Sequence, residues 1–244
     1  MKRKMSRRKS RAGLILALFV FFAAAACLFY YIGMPKIADY KEKKEQQGMS
    51  VLDKYYENTD MAGWIQVEGT GISYPVMKGD IYLYKDFEKE HSPSGTPFVE
   101  DYWTEDSPIT LIYGHNMWMY KTMFNPLHKF KDEDFFEKHK IIKFYAVCGS
   151  EEKYVEKRTY EITHVILTEV DSWNYASCGL IEDATEIDSF KEECDRRALH
   201  KRNTGESRNL IVLSTCSYHV KGRGGRLAVA GELKEKTVQE CLDE

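Results

Sequence analysis

The chain has 244 residues, with 35 basic and 38 acidic side chains, and 43% of its residues are hydrophobic. That length fits one globular domain with short extensions. The charge is unevenly divided, since the first 11 residues carry seven basic and no acidic residues while the remainder is net acidic. A nucleic-acid-binding domain presents a basic folded face, so an acidic body excludes that class, and we expect no nucleic-acid partner.

An uncharged apolar segment of 21 residues, 13–33, directly follows the basic arm. As a helix, this length spans the hydrocarbon core of a bilayer, about 30 Å thick. The run is longer than the apolar stretch of a cleavable signal peptide. Because basic residues stay on the cytoplasmic side, we predict a cytoplasmic arm at 1–12 and a single-pass signal-anchor at 13–33. The rest of the chain is then extracellular, held at the plasma membrane by this helix.

The remaining chain reads as a charged stalk or helix at 34–49, one mainly β domain at 50–236 and a charged tail at 237–244. Ser50 is a predicted N-cap for the helix that begins the domain. Helical spacing recurs at 132–139 and from 185 to about 200, with Ile187, Phe190, Cys194 and Ala198 on one face of the second helix. Predicted strands cover 64–68, 72–76, 109–113, 141–147, 158–170, 209–214 and 226–233. Many short strands need protected edges, which favours a closed or barrel-like sheet.

Cysteine usage leaves at least one thiol unpaired outside the membrane. Of the six cysteines, Cys27 lies in the apolar segment and five follow it, an odd number. The chain has no Cys-X-X-Cys pair and no Cys/His spacing that suits zinc, so we expect no metal and no cofactor. The other four exported cysteines could pair with one another, and the sequence does not assign such pairs; our default prediction is that they are buried free thiols: Cys148, Cys178, Cys194 and Cys241.

Three side chains that could take part in catalysis lie at the ends of predicted strands, where they can be exposed to solvent. Cys216 follows the apolar run 209–214, and His115 follows the run 109–113 and a glycine. Arg226 opens the last predicted strand, behind a glycine-rich turn. Each also has a structural, non-catalytic interpretation. A free cysteine is usually buried and inert, and an arginine at a strand edge is usually a surface charge. His219 competes with His115 as the partner of the thiol, and Arg223 competes with Arg226.

Together the three residue types form a coherent catalytic set. A thiol with an ordinary pKa near 8.5 is mostly protonated at neutral pH, and neighbouring cations favour the nucleophilic thiolate. A histidine can protonate a leaving amine, and an arginine can stabilise the charge that develops on a carbonyl oxygen. The pattern therefore predicts cysteine-dependent acyl transfer, with Cys216 as nucleophile, His115 as acid and base, and Arg226 as oxyanion stabiliser.

The sequence resembles the sortase family over about residues 50–234. The matching segments, in chain order, are 63–65, 70–76, 95–98, 113–117, 123–139, 213–216 and 226–229. Their order and spacing resemble class B, which carries an extra helix before the catalytic strand, here within the 101 residues from His115 to Cys216. Class C sortases usually carry a second membrane segment near the C-terminus, and the charged C-terminus disfavours that class.

This resemblance implies a mainly β fold, a closed eight-stranded sortase-type barrel with N-terminal helices. It also implies a cell-wall anchoring reaction in a Gram-positive envelope. Cys216 would cleave a C-terminal sorting signal after its threonine and form a thioacyl-enzyme. A primary amine, usually from a peptidoglycan cross-bridge, would then resolve it and leave the surface protein attached to the wall.

The expected substrate contacts are Ser214 and Thr215 beside the nucleophile, with Asp80 and Leu83 lining the groove. The sequence departs from the family pattern at Val212, where the family often has threonine, and at 78–83, which lacks a common asparagine. A hydrolytic membrane-anchored cysteine protease, a pilin-polymerising sortase and a non-catalytic tethered module remain as alternatives. The sequence leaves the sorting motif, the acceptor amine and the specific protein substrates open.

Overall fold

The computed structural model describes residues 49–218, 224–239 and 242. The described residues belong to one compact unit that spans Met49–Leu242. The predicted arm at 1–12, the predicted membrane segment at 13–33 and nearly all of the predicted stalk at 34–49 lie outside the described residues. Within the described part of the chain, none of the helices is long and apolar enough to cross a membrane.

Three α-helices are described: α1 (Val51–Glu57), α2 (Glu133–Lys138) and α3 (Ala184–Arg197). Each begins after a side chain that accepts a hydrogen bond from the first turn, which satisfies backbone donors that lack helical partners. Ser50 caps α1, as predicted, through its bond from Asp53 N. Asp132 and Asp183 do the same for α2 and α3. Three 3-10 helices accompany them: Asp80–Leu83, Asn125–Lys131 and Tyr175–Leu180.

The described strands confirm the predicted β-strands and include short strands that the sequence analysis did not predict. Their bounds are β1 (Met61–Val67), β2 (Ser73–Lys78), β3 (Phe98–Val99), β4 (Ile109–Tyr113), β5 (Asn116–Met117), β6 (Thr122–Met123), β7 (Ile141–Cys148), β8 (Tyr154–Glu169), β9 (Ala198–Lys201), β10 (Leu210–Cys216) and β11 (Gly225–Val238). Strands β3, β5 and β6 have two residues each, too few for an alternating pattern to reveal them in the sequence.

Eight of the described strands close into a barrel, as the resemblance implied. The sheet runs in the order β11-β10-β4-β3-β2-β1-β7-β8, and an additional pairing of β11 with β8 joins its two ends. Strand β8 is 16 residues long. Along one of its edges, the first half pairs with β7 and a later part pairs with β9. Its other edge pairs with β11. Closure removes the exposed edges that would otherwise template aggregation. The pairing of β10 with β4 is parallel.

The predicted end of the last helix near His200 is wrong. Helix α3 ends at Arg197, and Ala198 has the extended dihedral angles φ −62° and ψ 130°. From there the chain forms β9, which pairs with β8 at His200↔Val165 and Lys201↔His164. Ladder hydrogen bonds to an existing strand outweigh the weak helical preference of this segment, because intrinsic propensity is easily overridden by tertiary contacts.

Two apolar layers lie on opposite faces of β10. Ile211 and Leu213 point into the barrel interior and are fully buried with Phe144 and Val229. Leu210 and Val212 point outward into a second cluster, where α3 and the 3-10 helix Tyr175–Leu180 cover the sheet. The alternation of the two faces therefore determines which residues near the end of β10 reach the outer surface.

Candidate active site

Cys216 is the last residue of β10 and lies directly opposite Arg226 on the antiparallel strand β11. Residues paired in this way carry their Cβ atoms on the same face, about 4.5–5.5 Å apart. Both side chains are partly exposed, whereas the residues that precede Cys216 along β10 are buried. The pairing therefore brings the predicted nucleophile and the predicted oxyanion stabiliser together on one face of the barrel.

The other described cysteines have the surroundings of inert thiols. Cys148, Cys178 and Cys194 are buried and unpaired, which confirms the prediction made for these three; Cys241 lies outside the described residues. Burial raises the pKa of each, to about 12 for Cys194. A buried thiol is held in its protonated, unreactive form. Within the described residues, only Cys216 is both unpaired and partly exposed.

His115 lies just beyond the end of β4, the strand that pairs with β10. The parallel register aligns Ser214 with Tyr113, and the ladder continues with a hydrogen bond from Gly114 N to the Ser214 carbonyl at 3.0 Å. His115 and Cys216 each lie two residues beyond this aligned pair. Paired strands run about 4.8 Å apart, so the ends of β4 and β10 bring the two residues to the same end of the barrel.

The imidazole of His115 is oriented by a backbone carbonyl. Its Nε2 lies 2.9 Å from the Leu83 oxygen. A carbonyl can only accept, so Nε2 carries the proton and Nδ1 is the nitrogen left for proton exchange. The ring of Tyr84 packs against the imidazole, with 5.7 Å between ring centroids. The 3-10 helix Asp80–Leu83 thereby defines the tautomer and the angle of the ring.

Leu83 and Asp80 occupy the two ends of that short helix. Leu83 is partly buried and touches the site through its carbonyl group. Asp80 is exposed at the first position; burial, together with the negative charges of Asp80 and Asp101, raises the pKa of Glu100. The structure therefore brings Leu83 to the candidate site, while Asp80 lies at the far end of the helix among other carboxylates.

Arg226 presents its guanidinium beside a buried phenol. Its Nη1 donates to the Gly225 carbonyl at 3.0 Å. Burial raises the pKa of Tyr175, and its hydrogen bond with Ser214 and the positive charge of Arg226 act in the opposite direction. Arg226 is thus paired with Cys216 across the two strands, and its charge acts on Tyr175. The competing residues Arg223 and His219 lie outside the described residues.

The two residues that precede Cys216 point to opposite sides of the sheet. Ser214 is buried on the outer face, and its Oγ lies 2.6 Å from Tyr175 Oη. Thr215 is buried on the barrel side, and within the described residues its Oγ1 has no hydrogen-bond partner. The Ser214 hydroxyl is engaged inside the protein, so the role of both residues in binding substrate remains a prediction.

Three polar residues that the sequence did not single out lie around the Cys216 carbonyl. Asn116 Nδ2 donates to the Cys216 oxygen at 2.9 Å, and His128 Nε2 lies 3.1 Å from the same oxygen. Asn125 Nδ2 donates to Asn116 Oδ1 at 2.6 Å. Asn116 was part of the matched segment 113–117, but a separation of 100 residues in sequence conceals its contact with Cys216.

The fold and the site together define a class of protein. A partly exposed thiol is paired with an arginine across two strands, and a histidine of fixed tautomer follows the end of the neighbouring strand in a closed eight-stranded barrel. Thiol, imidazole and guanidinium supply a nucleophile, an acid–base group and a stabiliser of negative charge. These are the features of a cysteine acyl-transfer enzyme with a sortase-type barrel.

Known proteins support a narrower assignment, although no protein-family model matches the sequence. Sortase B of Staphylococcus aureus is 27% identical over 240 residues, which cover 90% of this chain and 93% of that protein. Sortase B of Listeria monocytogenes is 28% identical over 188 residues, covering 73% and 72% of the two chains. The X-ray structure of Clostridium perfringens sortase B matches with a TM-score of 0.66 and 28% identity, covering 75% of this chain and 99% of that chain.

These similarities support the assignment of the chain to the class B sortases, and with it a sortase transpeptidase function. The matched structure accounts for the barrel, and the two sequence relatives extend the similarity over most of the chain. The resemblance inferred from short segments is thereby confirmed.

Proposed function

We propose that the protein is a cell-surface transpeptidase that cleaves a C-terminal sorting signal after its threonine and transfers the surface protein to a peptidoglycan amine. The observation that carries the proposal is the direct opposition of Cys216 and Arg226 across β10 and β11, with His115 two residues beyond the end of β4, the parallel neighbour of β10. In this arrangement one substrate carbonyl can meet the thiol, the acid–base group and the cation together.

Acylation begins with transfer of the Cys216 proton to His115. The thiolate attacks the carbonyl carbon of the threonine, and Arg226 stabilises the negative charge that forms on its oxygen. His115 then returns the proton to the departing amine through Nδ1, because Nε2 is engaged with the Leu83 carbonyl. The C–N bond breaks, and the acyl group remains on Cys216 as a thioester.

In the transfer step, the protons move in the opposite direction. An amine acceptor attacks the thioester and loses a proton to His115, while Arg226 again stabilises the oxyanion. The C–S bond breaks, and Cys216 recovers its proton from the imidazolium. Whether an amine or water resolves the thioester separates a transpeptidase from a hydrolytic protease.

Substrate binding is assigned to the residues that surround these groups. Leu83 lies at the site through its contact with His115, which supports its role in the groove. Ser214, Thr215 and Asp80 complete the proposed set: the first two precede the nucleophile and Asp80 begins the helix that ends at Leu83. The substrates are proteins that carry a sorting signal, recognised as an extended peptide.

The cellular setting follows from the N-terminal sequence. We propose that residues 1–12 stay in the cytoplasm, residues 13–33 span the plasma membrane and residues 34–49 form a stalk. The catalytic domain, 50–236, and the tail, 237–244, then lie outside the cell. This orientation gives the active site access to both sorting-signal proteins and peptidoglycan.

The proposal is tested by incubating the full-length chain in detergent with a library of sorting-signal peptides, with and without primary amines. Mass spectrometry should find a thioacyl adduct on Cys216 and, once an amine is added, a ligated product. Cys216→Ala should give neither, whereas Cys148→Ala, which removes a buried thiol on β7, should give both. Failure of every peptide to modify Cys216 would reject the proposal, and release by water alone would favour the protease.

A further inference from the structure

The parallel ladder between β4 and β10 stops one step before the nucleophile. Ser214 turns its carbonyl towards β4 and accepts from Gly114 N. Because alternate residues of a strand face the same neighbour, the next carbonyl on that edge belongs to Cys216. Its ladder donor would be the backbone N–H of residue 116, but there the chain has already entered β5, which pairs with β6 at Asn116↔Met123.

The side chain of Asn116 occupies the position of the missing ladder donor. Its Nδ2 donates to the Cys216 carbonyl at 2.9 Å. Exchanging Oδ1 and Nδ2 of Asn116 would break a second hydrogen bond, because Asn125 Nδ2 donates to Asn116 Oδ1 at 2.6 Å. Asn116 is buried, 8% exposed, so water competes poorly for the bond. A side chain thereby extends the sheet by one hydrogen bond, at the residue that carries the thiol.

His128 gives the same carbonyl a second neighbour. Its Nε2 lies 3.1 Å from the Cys216 oxygen and 3.0 Å from Asn116 Nδ2. With its proton on Nδ1, the ring accepts the second amide hydrogen of Asn116; with a proton on Nε2, it donates to the Cys216 oxygen. In either state the carbonyl keeps at least one donor.

The element that carries Asn125 and His128 is firmly seated. The 3-10 helix Asn125–Lys131 buries Leu127 and Phe130 completely in the barrel core. Phe124, the residue before it, is also buried, and its N–H donates to the His115 carbonyl at 2.9 Å. One element therefore supports both the histidine and the cysteine of the site.

We infer that Asn116 and His128 are positioning residues that hold the Cys216 carbonyl and thereby fix the direction of its thiol relative to His115 and Arg226. The inference rests on the proposed role of Cys216 as the nucleophile. Cys216 ends β10, and the N–H of its C-terminal peptide is held by β11, since Ser217 N donates to the Gly225 carbonyl at 2.9 Å. The carbonyl of the same peptide has no further β4 partner and depends on Asn116 and His128. Holding the carbonyl restricts rotation about the bond next to the Cα that bears the thiol.

The first test compares peptide turnover by full-length variants in detergent. Asn116→Ala should lower kcat about tenfold with little change in KM, because the lost hydrogen bond orients the nucleophile and does not bind peptide. His128→Ala should also lower kcat, and His128→Gln, which restores a side-chain amide near the Nε2 position, should recover most of it. Equal activity of the two His128 variants, or normal kcat in folded Asn116→Ala, would overturn the inference.

The second test needs no substrate and therefore separates failure of this inference from failure of the proposed function. Mass spectrometry follows the rate at which iodoacetamide alkylates Cys216 at fixed pH. Asn116→Ala and His128→Ala should change that rate, and His128→Gln should restore it. His164→Gln, which alters a buried histidine bonded to Thr163 and Asp195, is the matched control and should keep the wild-type rate even where it lowers stability. An unchanged alkylation rate in Asn116→Ala would reject the positioning role.

Discussion

At the scale of single residues, exposure and charge distinguish Cys216 from the other described thiols. Burial raises the pKa of Cys148, Cys178 and Cys194, so at neutral pH each stays protonated. Cys216 differs because the chain leaves β10 at that point and the outer layer of helices does not cover it. The sequence could place Cys216 and His115 at strand ends, since apolar runs stop there. It could not show that Ser214 bonds to Tyr175, because that pair is 39 residues apart.

Arg226 supports a prediction about charge stabilisation. Arg226→Ala should lower turnover by roughly 10²–10³, the loss seen when a donor to a developing oxyanion is removed. The expected loss falls on kcat, since the negative charge exists only in the transition state. Arg223→Ala is the matched control for the alternative arginine and should stay close to wild type. Steady-state kinetics with a sorting-signal peptide distinguishes the two, and a larger defect in Arg223→Ala would transfer the role to that residue.

At the scale of elements, the 3-10 helix Asp80–Leu83 links the N-terminal part of the barrel to His115, the proposed catalytic histidine. Asn58, the C-cap of α1, donates from Nδ2 to Tyr82 Oη at 3.0 Å. Leu83 follows Tyr82 in the chain, and its carbonyl accepts from His115 Nε2. Periodicity in the sequence could not reveal this helix, because four residues are too few to show a repeat. The same limit explains the three two-residue strands and the switch from α3 to β9, where partners distant in sequence decide the conformation.

Gly95 supports a prediction at this scale, because it packs against the Leu83 carbonyl that orients His115. Its φ is +57°, and an added Cβ would lie 2.4 Å from the Leu83 oxygen. Gly95→Ala should therefore displace that carbonyl and lower the rate of Cys216 acylation. Gly224→Ala, where an added Cβ meets nothing within 4 Å, is the control and should react normally. Acylation followed by mass spectrometry, with thermal unfolding in parallel, tests this; wild-type acylation by Gly95→Ala would contradict the link.

At the scale of the whole molecule, the closed barrel carries an outer layer whose attachment includes a buried histidine. His164 on β8 contacts Asp195 of α3, with Nε2 3.1 Å from Oδ1. Nearby, Lys191 of α3 pairs with the buried Glu232 of β11 at 2.9 Å. These contacts connect α3 to the strands that form the closing seam. Protonation changes at this interface should therefore alter the stability of the whole domain.

His164 predicts a loss of stability in mild acid. Burial lowers its pKa, and this outweighs the opposite effects of Asp195 and Glu232. The unfolded chain then binds a proton more readily, so the free energy of unfolding is greatest above the ordinary pKa of about 6.5 and falls as pH drops from there towards the folded-state pKa. Urea unfolding at pH 7.5 and 5.5 should show a smaller difference in His164→Gln. The variant His91→Gln, which changes an exposed histidine, should keep the wild-type difference. If His164→Gln also kept the wild-type difference between the two pH values, the loss of stability in acid could not be assigned to His164.

The sequence by itself determined the strand runs, two of the helices nearly to their ends, the class of chemistry and the resemblance that named the family. These features depend on local patterns: alternation, helical spacing, capping side chains and short ordered segments such as 113–117 and 213–216. Tertiary structure alone decided that Arg226 faces Cys216, that Leu83 orients His115, and that Asn116 and His128 hold the Cys216 carbonyl. Each of these depends on strand register and barrel closure, which join residues far apart in the chain and leave no periodic signal within it.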